Sequence, residues 1–462
     1  MTDFIIAGSG SSGGILAKNL HESGSSVLLL EAGKYFKKDT FPKTEAAYSS
    51  QLFWGGGLEF DEKARTAFLR AKCVGGTTIV NQCLMNRFDD IALDDWKNRS
   101  GVDYLSVAGL EPHYEKVESI MQLHYFERKE FNRNAELFTS GCDKNGYKWK
   151  FLRRGQSDCK TLEGNDCIGC LGGCHRDSKQ STLVTAIQNT EQKGLKVVSE
   201  FEVKTIEHHK DHVVVRGLQN KETRELKARR LILAGGSFGT TKILLNSGIK
   251  DKLPALGKGF CQHPQYMAFG LFDDPVDSHK GAFQTVASDD MNFRKNGYKL
   301  ENVYAPPISV GMLINTFGPA HQRIMLNYRN MACIEVAIRD EPEGGEMKVD
   351  KKGNLIVTKN PTDQDKARVE KGIETLVSVF AAAGAKEVVR SPFSFGLHLM
   401  GGCIIGVDPQ KSVVNPNFQV HGHENIYIAD SSIFPSAPGI NPSLTIMALS
   451  QKLSEELCQG NL

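Results

Sequence analysis

Three polar side chains near the C-terminal end have the types and neighbours that chemistry requires. His398 opens the stretch HLMGGC, Asp430 ends a short apolar run, and Asn441 precedes a proline at the start of NPSLTIMALS. An imidazole titrates near neutral pH and can accept a proton, and a carboxamide can donate a hydrogen bond to an oxygen. This spacing indicates side chains gathered around a bound ligand, although an isolated histidine is more often buried and hydrogen-bonded than catalytic.

A second chemical cluster consists of four cysteines, Cys159, Cys167, Cys170 and Cys174, with the spacing Cx7Cx2Cx3C. The last three match the end of a ferredoxin-type run, in which thiolates on a glycine-rich loop bind an iron–sulfur cluster. The first cysteine is displaced, however, and no proline follows the last. We predict an iron–sulfur cluster here, with zinc, a disulfide or free thiols as alternatives that the spacing leaves open.

The element that must position a ligand lies at the opposite end of the chain. Gly8, Gly10 and Gly13 form GxGxxG directly after an apolar run, and Glu31 ends the next one. This order predicts a strand, a tight turn and a helix whose N-terminus receives a pyrophosphate, with the glutamate on a ribose hydroxyl. The early start and the sequence EAG favour FAD over NAD as the bound dinucleotide.

Two further glycine-rich segments and a long region without tight glycine turns make up most of the remaining chain. Gly75 and Gly76 allow the backbone to approach a flat ring system, and Asn81 could hydrogen-bond its edge; a plain turn is the alternative. The segment LILAGGSFGTTKILLNSG predicts another strand, turn and helix of the same sheet. Residues 263–390 alternate apolar and polar side chains, which indicates a mostly antiparallel sheet, and Asp363 to Ala383 is predicted to be an amphipathic helix that Gly384 ends.

Bulk properties narrow the function classes. The chain has 462 residues, and its 56 basic and 54 acidic side chains give a net charge of +2. This balance gives no electrostatic case for nucleic acid as a partner. No uncharged apolar run is long enough for a transmembrane segment, and the first residues do not look like a secretory signal, so we expect a cytoplasmic protein.

Taken together, these motifs resemble the glucose–methanol–choline (GMC) family of FAD-dependent oxidoreductases. The resemblance runs in order along almost the whole chain and is closest to bacterial cholesterol oxidases and long-chain alcohol oxidases. It implies an α/β fold, with a Rossmann-like FAD-binding domain and a second domain for the substrate that has a mostly antiparallel sheet. The motifs that carry it are GSGSSG with EAG, RAKCVGGTTIVN, LILAGGSFGTTKILLNSG, GKGFCQHP, HLMGGC, IYIADSSIFP and GINPSLTIMALS. The expected division is a discontinuous FAD-binding domain of residues 1–90, 176–262 and 391–462, and a substrate domain of residues 91–175 and 263–390 with the cysteine-rich loop 159–174.

The resemblance also implies a reaction, the oxidation of an alcohol to a carbonyl compound with hydride transfer from the carbinol carbon to flavin N5. His398 matches the position of the family's base, and Asn441 stands where members carry histidine or asparagine, with its amide able to donate to the alkoxide. His263, before a proline, matches a loop near the cofactor and is expected to support the site.

Four more residues receive a cofactor role from the same resemblance. Pro442 and Ser443 begin a helix whose unpaired N–H groups would stabilise negative charge at flavin N1 and O2. Asp430 would lie near the ribityl and phosphate groups, and Val203 would hold the adenine through backbone contacts.

The cysteines determine which electron acceptor is expected. If they bind an iron–sulfur cluster, electrons would leave the reduced flavin singly for an acceptor protein or a quinone, which defines a dehydrogenase. Without a cluster, an oxygen-using alcohol oxidase is the alternative. A lyase that binds FAD but does not use its redox chemistry is a further alternative.

Overall fold

The computed structural model describes residues 1–314 and 316–460. None of the helices within these residues is long and apolar enough to cross a membrane. The α-helices of this part of the chain are, in order, α1 (Ser11–Glu22), α2 (Glu45–Leu52), α3 (Asp90–Ser100), α4 (Val107–Ser119), α5 (Arg133–Lys144), α6 (Gln188–Glu191), α7 (Gly236–Asn246), α8 (Met291–Lys295), α9 (Pro307–Leu313), α10 (Gly318–Met325), α11 (Asp363–Ala383) and α12 (Ser443–Cys458).

The strands of the same residues form two large sheets and two short hairpin-like pairs. They are, in order, β1 (Thr2–Ala7), β2 (Val27–Leu30), β3 (Glu59–Phe60), β4 (Thr66–Phe68), β5 (Leu123–Tyr125), β6 (Trp149–Phe151), β7 (Arg153–Gly155), β8 (Lys196–Val198), β9 (Phe201–His208), β10 (Val213–Gln219), β11 (Glu222–Leu233), β12 (Cys261–Leu271), β13 (Val286–Ser288), β14 (Tyr298–Asn302), β15 (Met331–Ile338), β16 (Gly345–Val349), β17 (Leu355–Lys359), β18 (Glu387–Arg390), β19 (Ser394–Met400), β20 (Gln419–Val420) and β21 (His423–Ile428).

The first sheet has a parallel centre in the order β8, β2, β1, β11 and β21. Ile5 of β1 lies between Leu28 of β2 and Leu231 of β11, and Ile5 and Leu231 are fully buried. Parallel strands covered on both faces are typical of a Rossmann-like sheet. The predicted fold class is confirmed for this half, and the LILAGG segment supplies the strand beside β1, as predicted.

The second sheet has the order β3, β4, β19, β12, β15, β14, β13 and β6, with β18 also pairing β12. All its pairs are antiparallel except β4 with β19, so the predicted mostly antiparallel sheet is confirmed. Helix α11 covers one face and buries Leu376, Val379 and Phe380. It ends at Gly384, whose φ of 91° is the left-handed conformation that glycine adopts at low cost.

Strand β12 joins the two halves of the molecule. Its pairing with β19 places His263 of β12 near His398 of β19. Its first residues pair with β19, so that Cys261 lies opposite Met400. The pairing register shifts between Gln262 and Pro264, because a proline has no N–H to donate to the ladder. The expected domain boundary between residues 262 and 263 falls within this strand, and the domain division stays a prediction.

Candidate active site

A cavity of about 670 Å³ lies between the two sheets and collects residues from both ends of the chain. Most of the residues predicted for a cofactor or a substrate line it. They are Gly8, Gly10, Glu31, Gly76, Asn81, Val203, His398, Asp430, Asn441, Pro442 and Ser443. Gly13 and Gly75 are not part of this lining: Gly13 packs against the backbone of Gly8, and Gly75 against the side chain of Ile79.

The glycine turn between β1 and α1 is shaped by close backbone contacts. Gly8 has a φ of 110°, and a Cβ on Gly13 would lie only 1.8 Å from the carbonyl oxygen of Gly8. A Cβ on Gly10 would instead have its nearest neighbour, the Cα of Gly76, at 3.9 Å. Gly8 and Gly13 therefore let the turn and the helix pack, whereas Gly10 keeps the cavity side of the turn open.

Glu31 directly follows β2 and is held by hydrogen bonds from neighbouring residues. Its Oε2 accepts hydrogen bonds from the backbone N–H and the hydroxyl of Ser9, at 3.2 and 2.6 Å, and its Oε1 accepts from the N–H of Gly33 at 2.9 Å. An ionised carboxylate only accepts hydrogen bonds, so Glu31 suits the donor hydroxyl of a ribose. Burial raises the pKa of Glu31, and the hydrogen bonds from Ser9, Gly33 and Ala32 oppose that shift.

Two helix N-termini meet at the cavity. Helix α1 begins after Gly10 and α12 after Pro442, and neither has a side-chain cap or an acidic residue in its first turn. The hydroxyls of Ser11 and Ser443 are 3.0 Å apart and connect the two ends. Unpaired N–H groups and the positive ends of both dipoles therefore point at one space, which fits the pyrophosphate and the electron-rich pyrimidine edge of FAD.

Asp430 lines the cavity, but its carboxylate is fully occupied by protein donors. Its Oδ2 accepts from the N–H of Gly236 and the hydroxyl of Thr240, and its Oδ1 accepts from the N–H and the hydroxyl of Ser432, at 2.5 to 2.8 Å. All four acceptor sites are used. Asp430 thus connects the start of α7 to the loop after β21, and supports the cofactor cavity by shaping its wall.

Asn81 and Val203 lie at separate parts of the same lining. The Oδ1 of Asn81 accepts from the N–H of Cys83 at 3.0 Å, which leaves its NH2 group as a donor for the cavity. Val203 is part of β9 and offers backbone groups beside the sheet edge. Their assigned contacts with the flavin edge and the adenine stay predictions.

His398 and His263 form a hydrogen-bonded pair. One backbone N–H donor determines which nitrogen of each ring carries the proton. The N–H of Gly439 donates to Nε2 of His263 at 2.8 Å, so this nitrogen carries a lone pair. Neutral His263 then holds its proton on Nδ1, where it donates to Nδ1 of His398 at 2.9 Å. His398 in turn keeps its proton on Nε2, the nitrogen that remains for the cavity.

Burial keeps this pair uncharged. Burial first, and then the positive charge of Lys299, lower the pKa of His398 to about 3. Burial and the neighbouring His398 hold the pKa of His263 well below its ordinary value. Both rings are therefore neutral throughout the ordinary working range of pH.

The carboxamide of Asn441 is held by two donors from other elements. The ammonium group of Lys299 donates to its Oδ1 at 2.6 Å, and the amide of Asn86 donates to the same oxygen at 3.3 Å. The NH2 group of Asn441 is thereby left for the cavity. His398 and Asn441 together present two N–H donors to one space, which suits an oxygen that becomes negatively charged.

The four cysteines do not form the predicted metal site. The thiol of Cys159 interacts with that of Cys167, and the thiol of Cys170 interacts with that of Cys174. Across residues 1–314 and 316–460, no three His, Cys, Asp or Glu side chains are arranged to hold a metal ion, and no cysteine is in a disulfide. An iron–sulfur cluster or a structural zinc needs four converging ligands, and the arrangement of these thiols in two pairs does not support either group.

Protein neighbours account for the environment of these thiols. The guanidinium of Arg154 donates to the sulfur of Cys167 at 3.4 Å, and the N–H of Lys179 donates to the sulfur of Cys174 at 3.5 Å. The partner thiol Cys159, followed by the charge of Arg154, lowers the pKa of Cys167. The sulfurs are thus bound within the loop and the strands beside it.

Comparison with known proteins identifies the family. The GMC oxidoreductase model matches residues 3–265 with its N-terminal part and residues 349–450 with its C-terminal part. The chain belongs to the GMC oxidoreductase family. It is an FAD-dependent oxidoreductase that acts on CH–OH donors.

Relatives of this GMC oxidoreductase include a long-chain-alcohol oxidase from Arabidopsis thaliana, 24% identical over 97% of this chain and 67% of the relative. A cholesterol oxidase from Acinetobacter baumannii is 24% identical over 97% of this chain and 93% of the relative. Among solved structures, pyridoxine 4-oxidase from Mesorbium loti has a TM-score of 0.74 at 16% identity, with 99% of both chains covered. That structural likeness shows the fold.

Two residues of this GMC oxidoreductase site had no role predicted from the sequence. Ser9 connects Glu31 to the second glycine turn, because its hydroxyl also accepts from the N–H of Gly75 at 3.0 Å. The sequence signal that could have identified Ser9 was its position between Gly8 and Gly10 of the GxGxxG motif. Lys299 contacts Asn441 from a strand in which it alternates with apolar residues, and that pattern is also typical of a solvent-facing side chain.

Proposed function

We propose that the protein oxidises an apolar alcohol to its carbonyl compound, with the substrate oxygen held between His398 and Asn441. FAD, when bound, supplies the acceptor for the carbinol hydride. The observation that carries this proposal is that both side chains present nitrogen atoms to the cavity that the glycine turn, Glu31 and the uncapped helix N-termini also line.

His398 is the residue through which we propose the hydroxyl proton leaves. In the arrangement described, its Nε2 already carries a proton and donates to the substrate oxygen. To accept a proton there, the histidine pair must change tautomer, so that His398 is protonated on Nδ1 and His263 on Nε2. In that tautomer, Nε2 of His263 carries a proton and can no longer accept the hydrogen bond from the N–H of Gly439. The loss of this bond costs about 1–3 kcal/mol. The resting pair therefore binds the oxygen first and accepts its proton after the tautomer change.

Asn441 completes the binding of the oxygen. Its NH2 group donates to the hydroxyl oxygen in the ground state and more strongly to the same oxygen as negative charge develops. Two fixed donors orient the C–H bond that is to be broken, because the oxygen can satisfy both in only a narrow range of positions.

The substrate side of the cavity favours an apolar alcohol. Its lining from the second half of the molecule is dominated by large apolar side chains, which are Met267, Phe283, Val303, Leu313, Phe395 and Leu397. Burying each additional methylene group against such a wall contributes about 0.8 kcal/mol. Two of the relatives are named for oxidation of long-chain alcohols and cholesterol, which are alcohols with large apolar bodies.

A series of straight-chain primary alcohols tests this substrate class. We expect kcat/KM to increase about fourfold for each methylene group added, until the apolar wall is filled. Steady-state oxidation with an artificial electron acceptor measures it. Diols with a terminal hydroxyl at each end and the same chain length are the matched control, and we expect them to be poorer substrates. Equal kcat/KM values along the series, or a preference for sugar alcohols, would contradict the apolar assignment.

A further inference from the structure

Lys299 makes an unusual connection between the two halves of the molecule. It lies on β14 of the antiparallel sheet, and its side chain is 17% exposed. Its ammonium group donates to Oδ1 of Asn441, the residue that leads into α12 on the FAD side, at 2.6 Å. An ammonium group has no lone pair, so the atom it contacts must be the amide oxygen. One of the two possible orientations of the carboxamide is thereby excluded.

We propose that Lys299 is a positioning residue for the reaction, which fixes the Asn441 carboxamide with its NH2 group toward the substrate oxygen. This inference rests on the proposed function. Asn86 also donates to Oδ1 of Asn441, but at 3.3 Å and without charge, so its hold on the amide is weaker. Without Lys299 the carboxamide can rotate and present its oxygen to the substrate oxygen, which repels it.

The charge of Lys299 is balanced locally. Its ammonium group forms an ion pair with Glu301 at 2.6 Å, and Glu301 also accepts from the amide of Gln284 at 2.8 Å. Glu335 lies directly opposite Glu301 in the sheet. Burial, followed by the charge of Glu301 and a hydrogen bond between the two carboxyl groups, raises the pKa of Glu335 well above its ordinary value. A single buried ion pair thus provides the hydrogen bond to Asn441.

The same ammonium group acts on His398 at a distance. His398 has His263 on β12 and Lys299 on β14 as its titratable neighbours, with Glu301 and Glu335 next to Lys299. The charges of Arg294 and Arg339 also act on His263. After burial, the positive charge of Lys299 is what lowers the pKa of His398. Removing that charge raises the pKa, so a protonated and non-accepting His398 forms at higher pH. The acid limb of the reductive rate should therefore move to higher pH.

A double-mutant cycle tests the positioning role. The variant Lys299→Met with Glu301→Gln removes both charges of the ion pair, so neither is left buried alone. At a pH above the acid limb, we expect it to reduce the rate of anaerobic flavin reduction by an alkanol at least ~10-fold. In the Asn441→Ala protein, we expect the same double substitution to reduce the rate of flavin reduction by less than ~2-fold. Glu301→Gln alone keeps the lysine bond to Asn441, and we expect it to lose less than ~3-fold. If the double substitution reduced the rate in the Asn441→Ala protein as much as it does in the native protein, the proposal would be overturned.

A spectroscopic measurement makes the test independent of turnover. In FAD-loaded protein with ¹⁵N-labelled histidine, we expect the pKa of His398 to be higher in the double variant than in the native protein. An unchanged titration would contradict the electrostatic part of the proposal. If no alcohol reduces the flavin of the native protein, the proposed function fails, whereas this titration still reports whether Lys299 acts on His398.

Discussion

Replacing His398 with glutamine should leave FAD bound and reduce the rate of flavin reduction by an alcohol at least ~10²-fold. The glutamine amide can still donate to the substrate oxygen, but it cannot accept the hydroxyl proton. Because His398 lies on β19 and none of its contacts hold the glycine turn, the affinity for FAD should be unchanged. Stopped-flow absorbance under anaerobic conditions measures the reductive rate, and the flavin content of the purified protein measures retention.

The control for this variant is His209→Gln at the tip of the hairpin formed by β9 and β10. Its imidazole is 39% exposed and pairs with Glu207, away from the histidine pair. We expect its reductive rate to match that of the native protein. A native rate in the His398 variant would remove His398 from proton transfer, and loss of FAD from that variant would assign the residue to cofactor binding instead.

A pair of glycine variants should separate packing from cofactor contact in the first turn. Gly13→Ala places a methyl group 1.8 Å from the carbonyl oxygen of Gly8, so the backbone must move. We expect it to lower the free energy of unfolding by about 1–3 kcal/mol or more, and to weaken FAD binding at least ~10²-fold. Thermal unfolding of the apoprotein and a fluorescence titration with FAD measure the two effects.

Gly10→Ala is the matched variant from the same turn. Its methyl group would meet protein only at ordinary van der Waals distance, 3.9 Å from Gly76, and its φ of −70° suits alanine. We expect the Tm of the apoprotein to be unchanged and FAD binding to weaken at least ~10-fold, because the methyl group occupies the space for the pyrophosphate. Native FAD affinity in Gly10→Ala would mean that the phosphates lie elsewhere.

Much of the fold could be predicted because local signals agreed with the tertiary structure. Helix α11 begins and ends at the predicted residues, since Thr362 caps its N-terminus and Gly384 ends it, with apolar side chains at helical spacing between them. The strand–turn–helix at Gly8 was predictable because only glycine fits its backbone contacts. In each case neighbouring residues in sequence decide the conformation.

The remaining features depend on residues far apart in sequence. Lys299 and Asn441 meet only when the antiparallel sheet is placed against α12, and no local pattern reports that placement. The histidine tautomers depend on the N–H of Gly439, which sequence cannot orient. Cysteine spacing predicted a metal site, but the spacing does not show whether four sulfurs converge, and these form two pairs. The structure does not support the predicted metal site for that reason.

Oxidation of an alcohol in the cavity, with bound FAD as the hydride acceptor, can be observed in a single turnover. The FAD-loaded protein is mixed anaerobically with excess dodecanol, the visible absorbance of oxidised flavin is followed, and the product is analysed. We expect complete bleaching of the flavin and one aldehyde per flavin. A flavin that stays oxidised would contradict the account, and carbonyl release from an inert flavin would identify a lyase.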